Sequence, residues 1–295
     1  MLMQRQIRAL ISIALLMGSQ TACERVVGLK VTDGPVLLVV EARLEVRRVQ
    51  ERPTGSSLRP QVIRLTTTAP YFTNVASPPA RGAVVQVADD ADRSVLMTEV
   101  AGSPGTYAAS DLPIVVGRRY TLRIQWQGDQ YEAVEVVQAA VPIDSLYFVP
   151  RPNQSAATEG LRATIDAVDP PAVSNSYLWE QWVDGARQVS PDTATRTRSI
   201  GDDDLLNGRV VRRFQPYIDI RVRSGQVVQL RQFAISRPAY DYYFAFNGEI
   251  SGDGSPFSLP SANLRGNVRN TTNPRKRALG YYIAAEYSER SGVVP

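Results

Sequence analysis

Residues 118–126 read RRYTLRIQW and residues 129–140 read DQYEAVEVVQAA, two segments in which apolar and polar residues alternate. Alternation with a period of two is typical of a β-strand that has one buried face and one face in solvent. Five more strand-like segments precede them, at 36–42, 61–72, 83–90, 94–100 and 102–107. About seven short strands separated by Gly, Pro and Asp turns predict an antiparallel, immunoglobulin-like β-sandwich over residues 34–145.

The chain after the sandwich also reads as mainly β. Pro142 and the segment FVPRPNQS at 148–155 indicate a boundary. Further strand-like segments follow at 161–169, 176–185, 210–219, 220–235 and 280–289. We therefore predict a second β-rich domain over residues 146–295.

One segment of this second domain has helical spacing instead. It reads SRPAYDYYFAFNGEI at 236–250, and its aromatic residues recur three and four positions apart. Ser236 is a good N-cap, and Pro238 suits the first turn of a helix. The pattern predicts one helix near residues 238–250.

The start of the chain has the layout of an export signal. Two arginines, Arg5 and Arg8, precede an apolar run at 9–17, and small or polar residues lead to Cys23, which is the only cysteine. The apolar run is about half of the roughly 20 residues that span a membrane. Residues 1–22 therefore resemble a bacterial lipoprotein signal, with lipid attachment on Cys23 and a tether over residues 23–33. The alternative is a secreted protein in which this cysteine is an accidental free thiol.

Composition excludes several classes of function. The chain has 33 basic and 29 acidic residues, and without Arg5 and Arg8 it is nearly neutral, so no nucleic-acid partner is expected. It has no histidine, which excludes Ser-His-Asp and Cys-His catalysis and histidine metal ligands. We expect no enzyme activity and no cofactor. Paired carboxylates, as in many glycosidases, leave a hydrolase as the alternative.

Aromatic residues supply the candidate ligand or partner surface. In SYLWEQWVDG, Tyr177 and Trp179 would share one face of a strand while Trp182 would point to the other. On the predicted helix, Tyr242 and Phe246 lie four residues apart, on a different side from its other aromatic residues. Exposed, these rings would stack on a sugar or a hydrophobic ligand. Buried, they would belong to the core.

The densest acidic cluster is Asp202, Asp203 and Asp204, in IGDDDLLNGR. Three carboxylates are a weak candidate for Ca²⁺, which takes six to eight oxygen ligands. The spacing is not that of an EF-hand loop, and a solvated turn is the simpler interpretation, so no metal is expected. Glu180, between the two tryptophans, suggests a glycosidase carboxylate, but the sequence places no partner carboxylate opposite it.

An ordered set of segments resembles a known family. They are TAPYF (68–72), GAVVQVADD (82–90), GTY (105–107), GRRYTLRI (117–124), VPIDSLYF (141–148), YDYYFAF (240–246), PSANLRGNVRN (260–270) and ALGYYIAAEY (278–287). Together they are similar to the outer-membrane lipoproteins of "domain of unknown function 4249". The resemblance covers nearly the whole exported chain, and it implies a lipid anchor on the outer membrane and a TonB-dependent transporter as partner. It carries no catalytic residues.

These observations favour a non-enzymatic lipoprotein of the cell outer membrane, held to the membrane through lipidated Cys23. It would bind an unknown small ligand or act as an accessory partner of a TonB-dependent nutrient transporter. A carboxylate-based glycan hydrolase and a structural envelope component are the alternatives.

Overall fold

The structure is a computed structural model. The described residues are 34–48, 59–70, 75–153, 155–156, 160–188, 199–204, 207–251 and 264–295. The predicted signal over residues 1–22, Cys23 and the tether up to residue 33 lie outside them. Among the described residues, no helix combines the length and the apolar character needed to cross a membrane.

The first half of the chain forms seven strands close to the predicted positions. They are β1 (Leu38–Arg47), β2 (Gln61–Thr67), β3 (Val84–Asp89), β4 (Ser94–Glu99), β5 (Thr106–Ala109), β6 (Arg119–Trp126) and β7 (Asp129–Val136). Strand β6 shows why the alternation is informative. Its residues Tyr120, Leu122, Ile124 and Trp126 are buried, and the residues between them face outward.

The second half is also β-rich, which confirms the mainly β prediction. Its elements are β8 (Ser145–Val149), β9 (Arg162–Val168), β10 (Ser176–Val183), β11 (Ala186–Arg187), β12 (Ser199–Asp202), β13 (Val210–Phe214), β14 (Val227–Ile235), α1 (Arg237–Ser251), β15 (Arg269–Asn270) and β16 (Leu279–Val293). The helix begins one residue before the predicted start and ends one residue after the predicted end.

The strands form one large mixed sheet and one small sheet. The large sheet has the order β11-β10-β14-β16-β1-β2-β5-β4-β3-β6-β7-β15, and β12 pairs with β10. It folds over at β4, which pairs with both β5 and β3, so that β1, β2 and β5 pack against β3, β6 and β7 as the two layers of a sandwich. The small sheet has the order β13-β9-β8.

Strand β16 joins the two halves of the chain. Its residues Leu279 to Tyr287 pair in parallel with β1, and its residues Tyr287 to Val293 pair antiparallel with β14. A division of the chain at residues 145–146 stays a prediction, but Val36–Pro295 is a single compact unit because this last strand belongs to both halves.

Three buried clusters hold the sheets together. The first fills the sandwich and includes Leu44, Ile63 and Tyr120. The second lies between the small sheet and the inner face of β10 and β14, and the third lies under α1 on the outer face of the large sheet. The large sheet is therefore covered on both faces, which accounts for the apolar runs in β14 and β16.

The helix begins where the sequence predicts. The Ala239 N–H donates to Ser236 Oγ at 3.3 Å, which is an N-cap hydrogen bond to the third helical residue. Pro238 occupies the first turn, where its missing N–H costs nothing. Buried Ala239 and Tyr243 then fix α1 against the outer face of the large sheet.

Candidate ligand-binding cavity

A cavity of about 510 Å³ opens beside α1, between the helix and the outer face of strands β1 and β16. We call it the helix cavity. It lies within the range of roughly 300–1,000 Å³ that is typical of small-molecule sites. Its wall has one aromatic side and one ionic side.

The aromatic side comes from α1 and β16. Tyr242 and Phe246 stack with ring centroids 6.3 Å apart and an interplanar angle of 18°. Tyr242 also contacts the ring of Tyr281 at 4.7 Å, and Ile283 extends the same wall. Both Tyr242 and Phe246 were predicted surface residues, and the structure brings them together in this cavity. Phe244 lies on the other side of the helix and is 66% exposed.

The ionic side comes from β1, β10 and β11. Arg43 binds Glu180 with two hydrogen bonds, Nη1 to Oε1 at 2.8 Å and Nη2 to Oε2 at 3.2 Å. Arg187 donates to the same Glu180 carboxylate, and Arg43 Nε lies 3.0 Å from Glu45 Oε2. Bidentate arginine–carboxylate pairs are among the strongest ionic contacts and fix the direction of both side chains. The bidentate pairing therefore fixes Arg43 and Glu180 in this wall.

Arg43 carries its charge permanently. Burial alone would lower the pKa of Arg43, but the carboxylates of Glu180 and Glu45 raise it above its ordinary value. The guanidinium carbon also lies 4.4 Å from the centroid of the Phe233 ring, which is a cation–π contact.

The ionic contacts continue along the outer face of the sheet, away from the helix. Arg231 Nε donates to Glu289 Oε2 at 2.6 Å, and Arg231 Nη1 lies 3.5 Å from Glu45 Oε1. The Arg231 guanidinium is placed between two rings, 4.6 Å from Trp182 and 4.7 Å from Tyr287. Trp182 thus stacks on an arginine of this network and lies outside the helix cavity.

Glu180 does not have the environment of a glycosidase acid. Its side chain is 1% exposed and is engaged by two guanidinium groups, those of Arg43 and Arg187. A general acid in such an enzyme needs surroundings that favour the protonated form, whereas two cations favour the carboxylate. The arrangement suits charge recognition better than proton transfer.

Tyr177 and Trp179 point to the opposite face of the sheet from Trp182, as the alternation predicts. They are 8% and 6% exposed, and their rings stack 5.5 Å apart. They present little area to the outside and belong to the second buried cluster. They line a smaller cavity between the two sheets.

The three aspartates do not converge on one point, because Asp203 is directed away from Asp202 and Asp204. Asp203 is 1% exposed and accepts a long 3.5 Å hydrogen bond from Asn175 Nδ2. Asp202 and Asp204 lie near Arg237, at 3.9 and 3.4 Å from its Nη1. Within the described part of the chain, no group of three His, Cys, Asp or Glu side chains is arranged to hold a metal ion.

Behind the aromatic wall lies a buried carboxyl group. Glu135 on β7 is 7% exposed, and its Oε1 accepts hydrogen bonds from Tyr281 at 3.3 Å, Ser236 at 3.3 Å and Asn267 at 3.1 Å. Glu135 therefore links the cavity wall to the helix cap. Burial raises the pKa of Glu135 above its ordinary 4.5, although these hydrogen bonds act in the opposite direction.

This raised pKa predicts a specific pH dependence. Folded Glu135 binds a proton more readily than the unfolded residue, so its contribution to stability falls as the pH rises from about 4.5 through the raised pKa. Glu135→Gln removes the titrating group and keeps an oxygen acceptor. We expect the variant to gain stability relative to the wild type as the pH rises through this range, in urea unfolding at pH 4 to 8. The matched change Glu132→Gln, on the same strand but 32% exposed at the side chain, controls for the substitution itself. A constant difference between Glu135→Gln and wild type across this range would contradict the expectation.

Sequence reasoning missed the ionic side of the cavity. In β1, charged residues alternate with buried apolar residues, a pattern typical of a strand with one face in solvent. The charged residues are Glu41, Arg43, Glu45 and Arg47. One signal was present. Glu180 is the one charged residue of β10, next to aromatic and aliphatic residues, and a charge in such a position needs a partner of opposite sign.

The fold and the site together define a class of protein: a mainly β, sandwich-like chain with a ligand-sized cavity between its single described helix and its sheet. The chain belongs to the family described as "Domain of unknown function (DUF4249)", whose model matches residues 53–291. Comparison with curated proteins finds no match.

Proposed function

We propose that this protein is a non-enzymatic lipoprotein, anchored to the outer membrane through Cys23, that binds a small amphiphilic ligand in the helix cavity. It would act as an accessory partner of a TonB-dependent nutrient transporter. The observation that carries the proposal is the two-sided wall of the helix cavity, which is aromatic along α1 and ionic along β1.

The two sides indicate the chemistry of the ligand. Tyr242 and Phe246 offer ring faces on which a flat apolar or sugar-like group stacks. Arg187 is 47% exposed, so it can turn unused N–H groups toward a polar end of the ligand while it stays near Glu180. A molecule with one apolar part and one hydrogen-bonding or anionic part fits both.

The anchor rests on the signal-like segment and on simple energetics. Each buried CH₂ of an acyl chain contributes about 0.8 kcal/mol, so a cysteine that carries two or more chains holds a folded domain firmly to a membrane. The nearly neutral charge of the exported chain makes an electrostatic attachment a weak substitute.

The test is a mild-detergent affinity purification of the tagged protein from native membranes, with Cys23→Ala as the control. We expect the wild type in the outer-membrane fraction together with a TonB-dependent transporter identified by mass spectrometry. We expect Cys23→Ala to leave that fraction. Recovery of the wild type alone would contradict the transporter partnership, and retention of Cys23→Ala at the membrane would contradict the lipid anchor.

A further inference from the structure

A second cavity, of about 160 Å³, lies between the two sheets, where β10 and β12 face β9 and β13. We call it the inter-sheet cavity. Three rings form its aromatic wall: Tyr177 and Trp179 from β10 and Phe214 from β13. The ring centroids of Trp179 and Phe214 are 4.8 Å apart, with the planes tilted by 51°.

The deep end of the inter-sheet cavity is apolar, with Ile165 and Ala167 of β9 buried there. The polar groups of the wall are engaged with one another. The Trp179 Nε1–H donates to Gln232 Oε1 at 2.8 Å, and Gln232 Nε2 donates to the Val141 carbonyl at 3.0 Å.

The same holds at the Tyr177 end, where the Tyr177 hydroxyl donates to Asp169. A water molecule placed in a cavity needs two to four polar partners, and the Trp179 indole, the Gln232 amide and the Tyr177 hydroxyl are already hydrogen-bonded to other groups of the wall. An apolar occupant is therefore favoured over water.

The cavity opens between the edges of the two sheets. The lining residues with partial exposure belong to β12 and β13 and include Gly201, Asp202 and Val211. A Cβ atom at Gly201 would lie 3.0 Å from Trp179 Cη2, so glycine at this position lets the indole ring lie flat against β12. The entrance thus exposes an edge of the aromatic wall, beside one carboxylate.

We propose that the inter-sheet cavity is a binding site for a neutral single-ring aromatic group, held against Trp179 and Phe214, with any polar substituent directed to Asp202 at the entrance. An apolar cavity of roughly 150 Å³ is large enough to hold a benzene molecule. Aromatic pairs prefer offset or edge-to-face contacts at ring distances of about 4.5–7 Å. The tilted pair of Trp179 and Phe214 has this geometry, and a ligand ring would add a further contact of the same kind. The carboxylates of Asp202 and Asp169 disfavour an anionic ligand.

The test is calorimetric titration of the purified protein with toluene, benzyl alcohol and benzoate as probes. We expect saturable binding of toluene and benzyl alcohol, and binding of benzoate that is weaker by at least about tenfold. The variant Val211→Phe places a ring in the entrance and should weaken toluene binding by at least about tenfold. The control is Val210→Phe, the neighbouring residue on β13, which is 52% exposed and does not line the cavity.

Two results would overturn the proposal. One is the absence of saturable toluene binding to the wild type, and the other is equal toluene affinity for Val211→Phe and Val210→Phe. Circular dichroism checks that both variants are folded. If Val211→Phe is not folded, Ala167→Leu fills the cavity from β9 and carries the same expectation. The toluene titration tests the inter-sheet cavity separately from the helix cavity, because the helix cavity lies on the other face of the large sheet and Val211 does not line it.

Discussion

Gly280→Ala should destabilise the fold by roughly 4 kcal/mol or more, the sum of a conformational and a steric cost. Gly280 has φ +85°, and a Cβ atom built on it would lie 2.1 Å from the carbonyl oxygen of Val40. That oxygen belongs to the backbone of β1 at the place where β1 and β16 pair in parallel, so no side-chain movement relieves the contact. The measurement is the free energy of unfolding from urea titration.

The control separates the two costs. Gly128→Ala, in the turn between β6 and β7, has nearly the same φ of +82°, but a Cβ atom there has nothing within 4 Å. It should cost about 1–2 kcal/mol, which is the conformational part alone. Equal losses for the two variants would mean that the close approach of β1 to Gly280 is not present in the folded protein.

Arg231→Ala should destabilise the fold by about 3–5 kcal/mol, the usual cost of removing one partner from a buried ion pair. Arg231 and Glu289 are 8% and 6% exposed at the side chain, and their closest atoms are 2.6 Å apart. Removal also takes away the contacts of the guanidinium with Trp182 and Tyr287. Chemical denaturation at pH 7 measures the loss.

Two further variants distinguish charge from packing. Arg231→Lys keeps the charge but loses the planar stacking between the two rings, so we expect an intermediate loss. Arg123→Ala breaks the ion pair of Arg123 and Glu132, which are 55% and 32% exposed, and should cost no more than about 1 kcal/mol. If Arg231→Ala cost as little as Arg123→Ala, the network would be a solvated surface feature.

The sandwich was predictable because its signal is local. In β6, the buried residues Tyr120, Leu122 and Ile124 occupy alternate positions of the sequence, and turn residues lie at both ends of the strand. The helix was predictable for the same reason, since the Ser236 cap and the aromatic spacing both lie within one short segment.

The pairing of β1 with β16 was not predictable from such signals. Alternation states which face of a strand is buried but not which strand lies beside it, and these two strands are separated by almost the whole chain. The first and the last strand of the described residues therefore pair in one sheet, whereas local patterns describe them only as separate segments. The missed strands β8, β11, β12 and β15 are two to five residues long, too short for a period to be recognised.

The aromatic side of the helix cavity was predictable from the sequence, and the ionic side was not. Tyr242 and Phe246 were predicted surface residues because the helix has more aromatic residues than one buried stripe can use. Arg43 and Glu180 lie on strands that meet only through β14 and β16, so their salt bridge depends on the sheet order. Both charged residues are visible in the sequence, but their proximity could not be predicted from it.

The most direct test of the central claim is a fluorescence titration with 1-anilinonaphthalene-8-sulfonate, a probe with fused rings and an anionic group. The wild type is compared with Phe246→Ala and with Phe244→Ala, the same change on the exposed side of the same helix. We expect saturable binding to the wild type, a loss of affinity of at least about tenfold in Phe246→Ala, and unchanged affinity in Phe244→Ala. The absence of saturable binding, or an equal effect of the two substitutions, would contradict a ligand site in the helix cavity.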